Sequence, residues 1–203
     1  MNTYFRLAIV LSVIASLAFF GCRNSNKKTS NHLSDEELSL YQKTGSDLAA
    51  STQKVLASNL VGTIQERGTL EALEFCNIQA IPLTDSMSVE LEAHIKRVTD
   101  QPRNPNNLAG KSELEYIQTA KTALIEGKEI TPSIQYSNGK VTGYYPIITN
   151  QLCMQCHGSE ETQIDEQTLA KIKELYPEDK ATGYDIGELR GIWVVEMKKN
   201  SLK

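Results

Sequence analysis

The spacing of apolar positions changes several times along this chain, and each change marks an element. From residue 34 onward, Leu38, Tyr41, Leu48, Val55, Leu56 and Leu60 recur on one broad helical face. Ser34 and Glu37 open this stretch with the spacing of a capping box, in which hydroxyl and carboxylate satisfy free backbone N–H groups. Gly68 is expected to end this long helix. A second, shorter helix is expected over residues 69–80, stopped by Pro82, which has no N–H to continue the ladder. Val89, Leu91, Ala93 and Ile95 then alternate with Glu90, Glu92, His94 and Lys96, a period of two that predicts a half-buried strand. Residues 101–107, QPRNPNN, break either regular element.

A cap over Ser112 to Glu115 predicts a third helix, with Leu114, Ile117, Leu124 and Ile125 along one side. Asn138-Gly139 between residues 134–136 and 141–148 predicts a tight hairpin, since both residues tolerate positive φ. Leu169, Ile172, Leu175 and Tyr176 mark a further helix closed by Pro177, and residues 191–197 read as a strand. Helices come first and strands later, in hairpin-like order, which predicts an α+β domain with an antiparallel sheet. There is no internal repeat and no nucleotide-binding glycine loop.

Length and composition bound this picture without changing it. The 203 residues, 23% charged and 40% apolar, fit one soluble globular domain. The net charge of −4 and the lack of a basic stripe with interleaved aromatics argue against a nucleic-acid partner. The N-terminus is a different material. Arg6 is the sole charged side chain before an unbroken apolar and small run from Leu7 to Phe20, which ends in Gly21-Cys22. Residues 1–21 read as a lipoprotein signal peptide, with Phe19 and Phe20 where a leucine and a small residue are usual. Cys22 would carry lipid, residues 22–33 form a flexible tether around His32, and residues 34–203 form the domain. The alternative is an uncleaved anchor. Either way the domain is expected outside the cytoplasm, held to a bacterial membrane and facing the periplasm or cell exterior.

The candidate chemistry sits in CMQCHG, residues 153–158. A chance CxxCH in a chain this long is roughly a one-in-a-thousand event, so the motif calls for a reason. Haem accounts for every residue: Cys153 and Cys156 reach the two vinyl groups as thioethers, and His157 supplies the proximal iron ligand. A redox disulfide accounts for the cysteines but not for His157. Zinc needs a fourth ligand, for which Cys76 or His94 could serve, and there is no second CxxC. Haem attachment outside the cytoplasm also agrees with the export signal.

Cys76 is then the one cysteine without a task. It lies on the apolar side of the second helix with Leu70, Leu73 and Ala80. It is either a buried small hydrophobe or the sixth iron ligand. Met87 and Met197 stay open as rivals. Met154 lies inside the attachment loop, and His94 falls on the polar side of its strand.

Four ordered segments resemble a bacterial family of single-haem c-type cytochrome domains with a PAS-like fold, long known only as a domain of unknown function. They are EALEFCNIQAIP, KRVTDQPRNPNN, YYPIITNQLCMQCHG and ATGYDIGELRGIWVVEM. The likeness covers most of the chain from about Ser34. Asp100-Gln101 replaces a more usual serine-leucine pair. The resemblance implies a central antiparallel sheet flanked by helices, with one haem c and with His157 and Cys76 as axial ligands. A thiolate ligand would stabilise ferric iron and lower the reduction potential. Arg97 and Arg103 are candidate partners of the haem propionates, because guanidinium forks suit carboxylates.

Such a protein is expected to act in redox or small-ligand sensing or in electron transfer, through a redox or signalling partner. The alternatives are a haem enzyme, as a peroxidase or sulfur-compound oxidoreductase, and a zinc-stabilised binding module. Two protein ligands on the iron argue against peroxide chemistry, which needs an open position.

Overall fold

The computed structural model describes residues 32–199; the expected signal peptide, Cys22 and nearly all of the tether lie outside them. Helix α1 spans Asp35–Arg67, and its capping box forms as the spacing predicts. The Glu37 N–H donates to Ser34 Oγ at 3.2 Å, and the Ser34 N–H donates to Glu37 Oε2 at 2.8 Å. Its inward face is smaller than the leucine pattern implied. Tyr41, Gly45, Ala49 and Thr52 are buried, whereas Leu38 is exposed and Leu48 and Leu56 are half-buried. Small residues let the helix lie close on the sheet. A Cβ at Gly45 would overlap the Tyr145 ring, whose hydroxyl donates to the Tyr41 carbonyl at 3.3 Å.

Helix α2 spans Thr69–Glu90 and runs through Pro82 rather than stopping before it. The carbonyl deprived of its N–H partner belongs to Ile78, which is exposed, so the missing bond falls on the solvent side. Downstream, the Thr84 and Ser88 hydroxyls donate to carbonyls one turn back, and Ser88 Oγ accepts the Ile95 N–H at 3.0 Å. The helix thereby consumes the first half of the alternating stretch. Val89 sits in its last turn, 80% exposed, and strand β1 is only His94–Val98. Within that strand Ile95 points inward and His94 outward, as the alternation predicts.

Helix α3 spans Lys111–Ile125 and is capped two residues earlier than expected, with the Glu113 carboxylate accepting the Gly110 N–H at 2.6 Å. Its buried face is Tyr116, Ile117 and Ala120; Leu114 and Ile125 point out. Tyr116 sets this rotation by packing on Tyr144 at 5.5 Å and donating to the Thr131 carbonyl. Strands β2 (Ser133–Ser137) and β3 (Lys140–Ile148) form the hairpin, with Asn138 at φ 52° and Gly139 at φ 77°. The short helix α4 spans Met154–His157, α5 spans Glu166–Leu175, and β4 spans Leu189–Lys198.

All strand pairs are antiparallel, in the order β1-β4-β3-β2. Helix α1 covers one face over Ile95, Val141, Tyr145, Trp193, Val195 and Met197. Helix α3 covers the other over Val98, Tyr144, Ile192 and Val194. Each fully buried isoleucine contributes about 1.5–3 kcal/mol of transfer free energy. At the hairpin end Lys199 reaches Glu37 at 3.7 Å, and its N–H donates to the Gly139 carbonyl. The architecture is the expected α+β, PAS-like sheet flanked by helices, with a long N-terminal helix.

Candidate functional site

The hexapeptide follows β3 directly. The Asn150 side chain accepts N–H groups of Leu152 and Cys153 and starts a 3-10 turn that becomes α4. One helical turn puts Cys153, Cys156 and His157, at i, i+3 and i+4, on a common face. Met154 turns the other way and is buried. The Gly158 N–H closes the turn on the Met154 carbonyl, and a Cβ at residue 158 would come within 2.8 Å of that oxygen. Both thiols of the hexapeptide are free, so no disulfide links them.

A strap over residues 179–188 holds the turn from outside. The Tyr184 N–H donates to the His157 carbonyl at 2.9 Å, and the Gly183 N–H to that of Gly158 at 2.8 Å. His157 Nδ1 lies 2.7 Å from the Ala181 carbonyl. A carbonyl only accepts, so Nδ1 carries the proton and Nε2 keeps its lone pair. Burial, and after it the guanidinium groups of Arg190, Arg103 and Arg97, hold the ring well below the usual histidine pKa. The imidazole is therefore a neutral donor through Nε2.

Cys76 comes to this site from α2. Leu73, one turn earlier, packs with Ile164, Ile172 and Cys156, and Thr69 Oγ1 meets the Gln155 side chain at 3.2 Å. Burial raises the Cys76 thiol pKa, with Arg97 and Arg103 opposing it; burial pushes Cys156 up to about 11. The rival ligands lie elsewhere. Met87 is roughly 16 Å along α2 from Cys76 at 1.5 Å per residue. Met197 faces Val141 at the hairpin end, Met154 is behind the turn, and His94 is exposed. Among the described residues no cluster of three or more His, Cys, Asp or Glu could hold a metal ion, so the donor set a zinc site needs is not assembled.

Three arginines surround the imidazole, in different states. Arg103 is engaged on the protein. It pairs with Asp179 through Nε at 3.2 Å and Nη2 at 2.9 Å, and Nη2 also donates to the Cys156 carbonyl at 2.6 Å. Arg97 makes no ion pair among the described residues and stands 5.9 Å from the Trp193 ring. Its side chain is open to solvent, yet burial among protein atoms lowers its pKa. Arg190 donates through Nη1 to Thr99 Oγ1 and the Gln101 carbonyl, while its Nε is buried without a partner. Burial lowers its pKa to about 10. Its guanidinium lies 5.3 Å from the Tyr184 ring, and Tyr184 Oη is likewise buried and unpartnered. Each such group costs about 1–3 kcal/mol.

Sequence reading singled out Cys76, Arg97, Arg103, Cys153, Cys156 and His157, and the fold gathers all six. It missed Arg190, Tyr184 and Asp179. The first two stand in the quoted segment ATGYDIGELRG, where they had been given no role. The Ala181 contact runs through a backbone carbonyl and leaves no trace in residue type.

Comparison with known proteins bears on fold and family. The family model described as Tll0287-like matches residues 24–197. The crystal structure of the cyanobacterial haem protein Tll0287 is similar at a TM-score of 0.54 and 23% identity, covering 82% of this chain and 98% of that one. No curated protein matches the chain.

Proposed function

The chain belongs to the Tll0287-like family, and from that premise we propose that it is a haem-binding, cytochrome-like protein. In the finer reading it carries one haem c, linked through Cys153 and Cys156 and ligated by His157 and Cys76. One observation carries this. The His157 Nδ1–H is committed to Ala181, and Nε2 keeps its lone pair on the helical face that presents both thiols. Bound haem supplies a one-electron ferric/ferrous couple.

The remaining residues fit that group. Among the described residues Arg97 and Arg190 have no carboxylate partner, and beside Arg190 the Tyr184 hydroxyl has no hydrogen bond. A porphyrin brings two propionates, which would neutralise the pair and satisfy the orphaned donors. Arg103 holds the backbone and Asp179, so the propionate role falls to Arg97 and Arg190. Cys76 would hold the iron as a thiolate and favour its oxidised form. Two protein ligands support electron transfer or redox sensing over peroxidase or sulfur-compound chemistry. The N-terminal segment supports an exported protein lipidated on Cys22 at a bacterial membrane, serving a redox or signalling partner.

The test is to produce the full chain in cells equipped for cytochrome c maturation. Its mass should exceed that of polypeptide and lipid by one haem, and its absorption should be low-spin. Cys76→Ala should give a high-spin ferric spectrum and a potential higher by on the order of 100 mV, a fraction of the roughly 0.8 V over which axial ligands act. A chain with no added mass and no Soret band overturns the reading.

A further inference from the structure

The contacts of Arg103 and Asp179 close into a ring around His157. Asp179 Oδ2 accepts Arg103 Nε and Nη2, and its Oδ1 accepts the Ala181 N–H at 2.9 Å. The Ala181 carbonyl, on the other side of that residue, accepts the His157 Nδ1–H at 2.7 Å. Arg103 Nη2 donates at 2.6 Å to the carbonyl of Cys156, the residue before His157, and reaches the Ala181 carbonyl at 3.5 Å. The Lys180 N–H donates to the Pro102 carbonyl at 3.1 Å and ties the two carrying loops together. Both side chains of the ion pair are buried, 10% and 8% exposed.

We propose that Arg103 and Asp179 are positioning residues for the proximal imidazole. The inference rests on the reading that His157 ligates a haem iron. Asp179 fixes the strap so that the Ala181 carbonyl meets the ring N–H. Arg103 fixes the peptide that carries the ring. The imidazole is thus gripped at both ends by one ion pair, which sets its rotation about the iron bond. The two donors on Ala181 oppose each other. A cation directed at that carbonyl draws electron density from it and weakens its pull on the imidazole proton. The pair thereby limits the imidazolate character of the ligand, and with it the electron density given to the iron. Neither side chain touches the iron; both act through backbone oxygen.

The test uses the haem-loaded full chain with Asp179→Asn, which keeps shape and removes charge, and Arg103→Lys, which keeps charge and removes the fork. Positioning predicts a shared signature. In both variants solvent exchange of the His157 ring N–H, followed by NMR, should quicken by about tenfold or more as its hydrogen bond loosens. The low-spin ferric EPR g values should broaden, because ring rotation is no longer fixed. A purely electrostatic role predicts instead a shifted potential in Asp179→Asn and none in Arg103→Lys, with unaltered exchange and line shape in both. That outcome overturns the proposal, as does lower thermal stability with all three readouts unmoved. Arg103→Lys keeps the test open if Asp179→Asn fails to fold. Absence of haem from the parent chain refutes the ligation reading instead, so the two failures are distinguishable.

Discussion

The two ends of the sheet are built to different standards. At the hairpin end Val141 faces Met197 beneath α1, both nearly or fully buried, and Tyr145 reaches across to the Tyr41 carbonyl. At the other end, where β4 begins, Arg190 Nε and Tyr184 Oη are buried without hydrogen-bond partners among the described residues. The first end satisfies its buried polar groups within the polypeptide; the second leaves two of them unpaired among the described residues. Natural cores rarely leave buried donors orphaned, so the contrast marks the second end as the place where a bound group would satisfy them.

The largest effect should come from the complete end. Met197→Ala should destabilise the domain by about 2–5 kcal/mol in denaturant unfolding while leaving the haem spectrum unchanged. A spectral change would return Met197 to the list of iron ligands. At the incomplete end, Tyr184→Phe removes an unsatisfied hydroxyl at constant shape. It should stabilise the haem-free chain by about 1–2 kcal/mol and give no such gain in the loaded one. Equal destabilisation of both forms would erase the contrast.

Acid provides a smaller, signed test. The His157 pKa in the folded haem-free chain lies well below its unfolded value of 6.5. As pH falls below 6.5 the unfolded chain takes up a proton that the folded ring refuses. Stability attributable to His157 should fall, by no more than about 1.4 kcal/mol per pH unit, and His157→Gln should abolish that slope. The smallest effect is expected from Ser34→Ala, about 1 kcal/mol by thermal unfolding with the haem spectrum untouched, since it removes only a helix cap.

The same two ends explain what the sequence could say. Local chemistry was legible: the Ser34–Glu37 cap, the Asn138-Gly139 turn, and the i, i+3, i+4 grouping of Cys153, Cys156 and His157 all depend on near neighbours. Errors arose where distant contacts decide. Pro82 reads locally as a stop, but exposure of Ile78 makes its lost bond cheap, and Ser88 joins the prolonged helix to β1. The leucines of α1 read locally as its inward face, but Tyr145 demands small residues there. The engagement of Arg103 by Asp179, 76 positions away, leaves no local signal in the sequence. The roles of Tyr184 and Arg190 depend on lacking a partner, a property that no residue pattern encodes.

The contact between Glu37 and Lys199 joins the first turn of α1 to the far end of β4. The ten-residue strand from Leu189 to Lys198 spans about 30 Å at 3.3 Å per step. Anything that grasps the domain just ahead of Ser34 therefore pulls on the pole remote from the arginines. Tension there would run along α1 into α2, the helix that carries Cys76, and through the length of β4 toward Arg190.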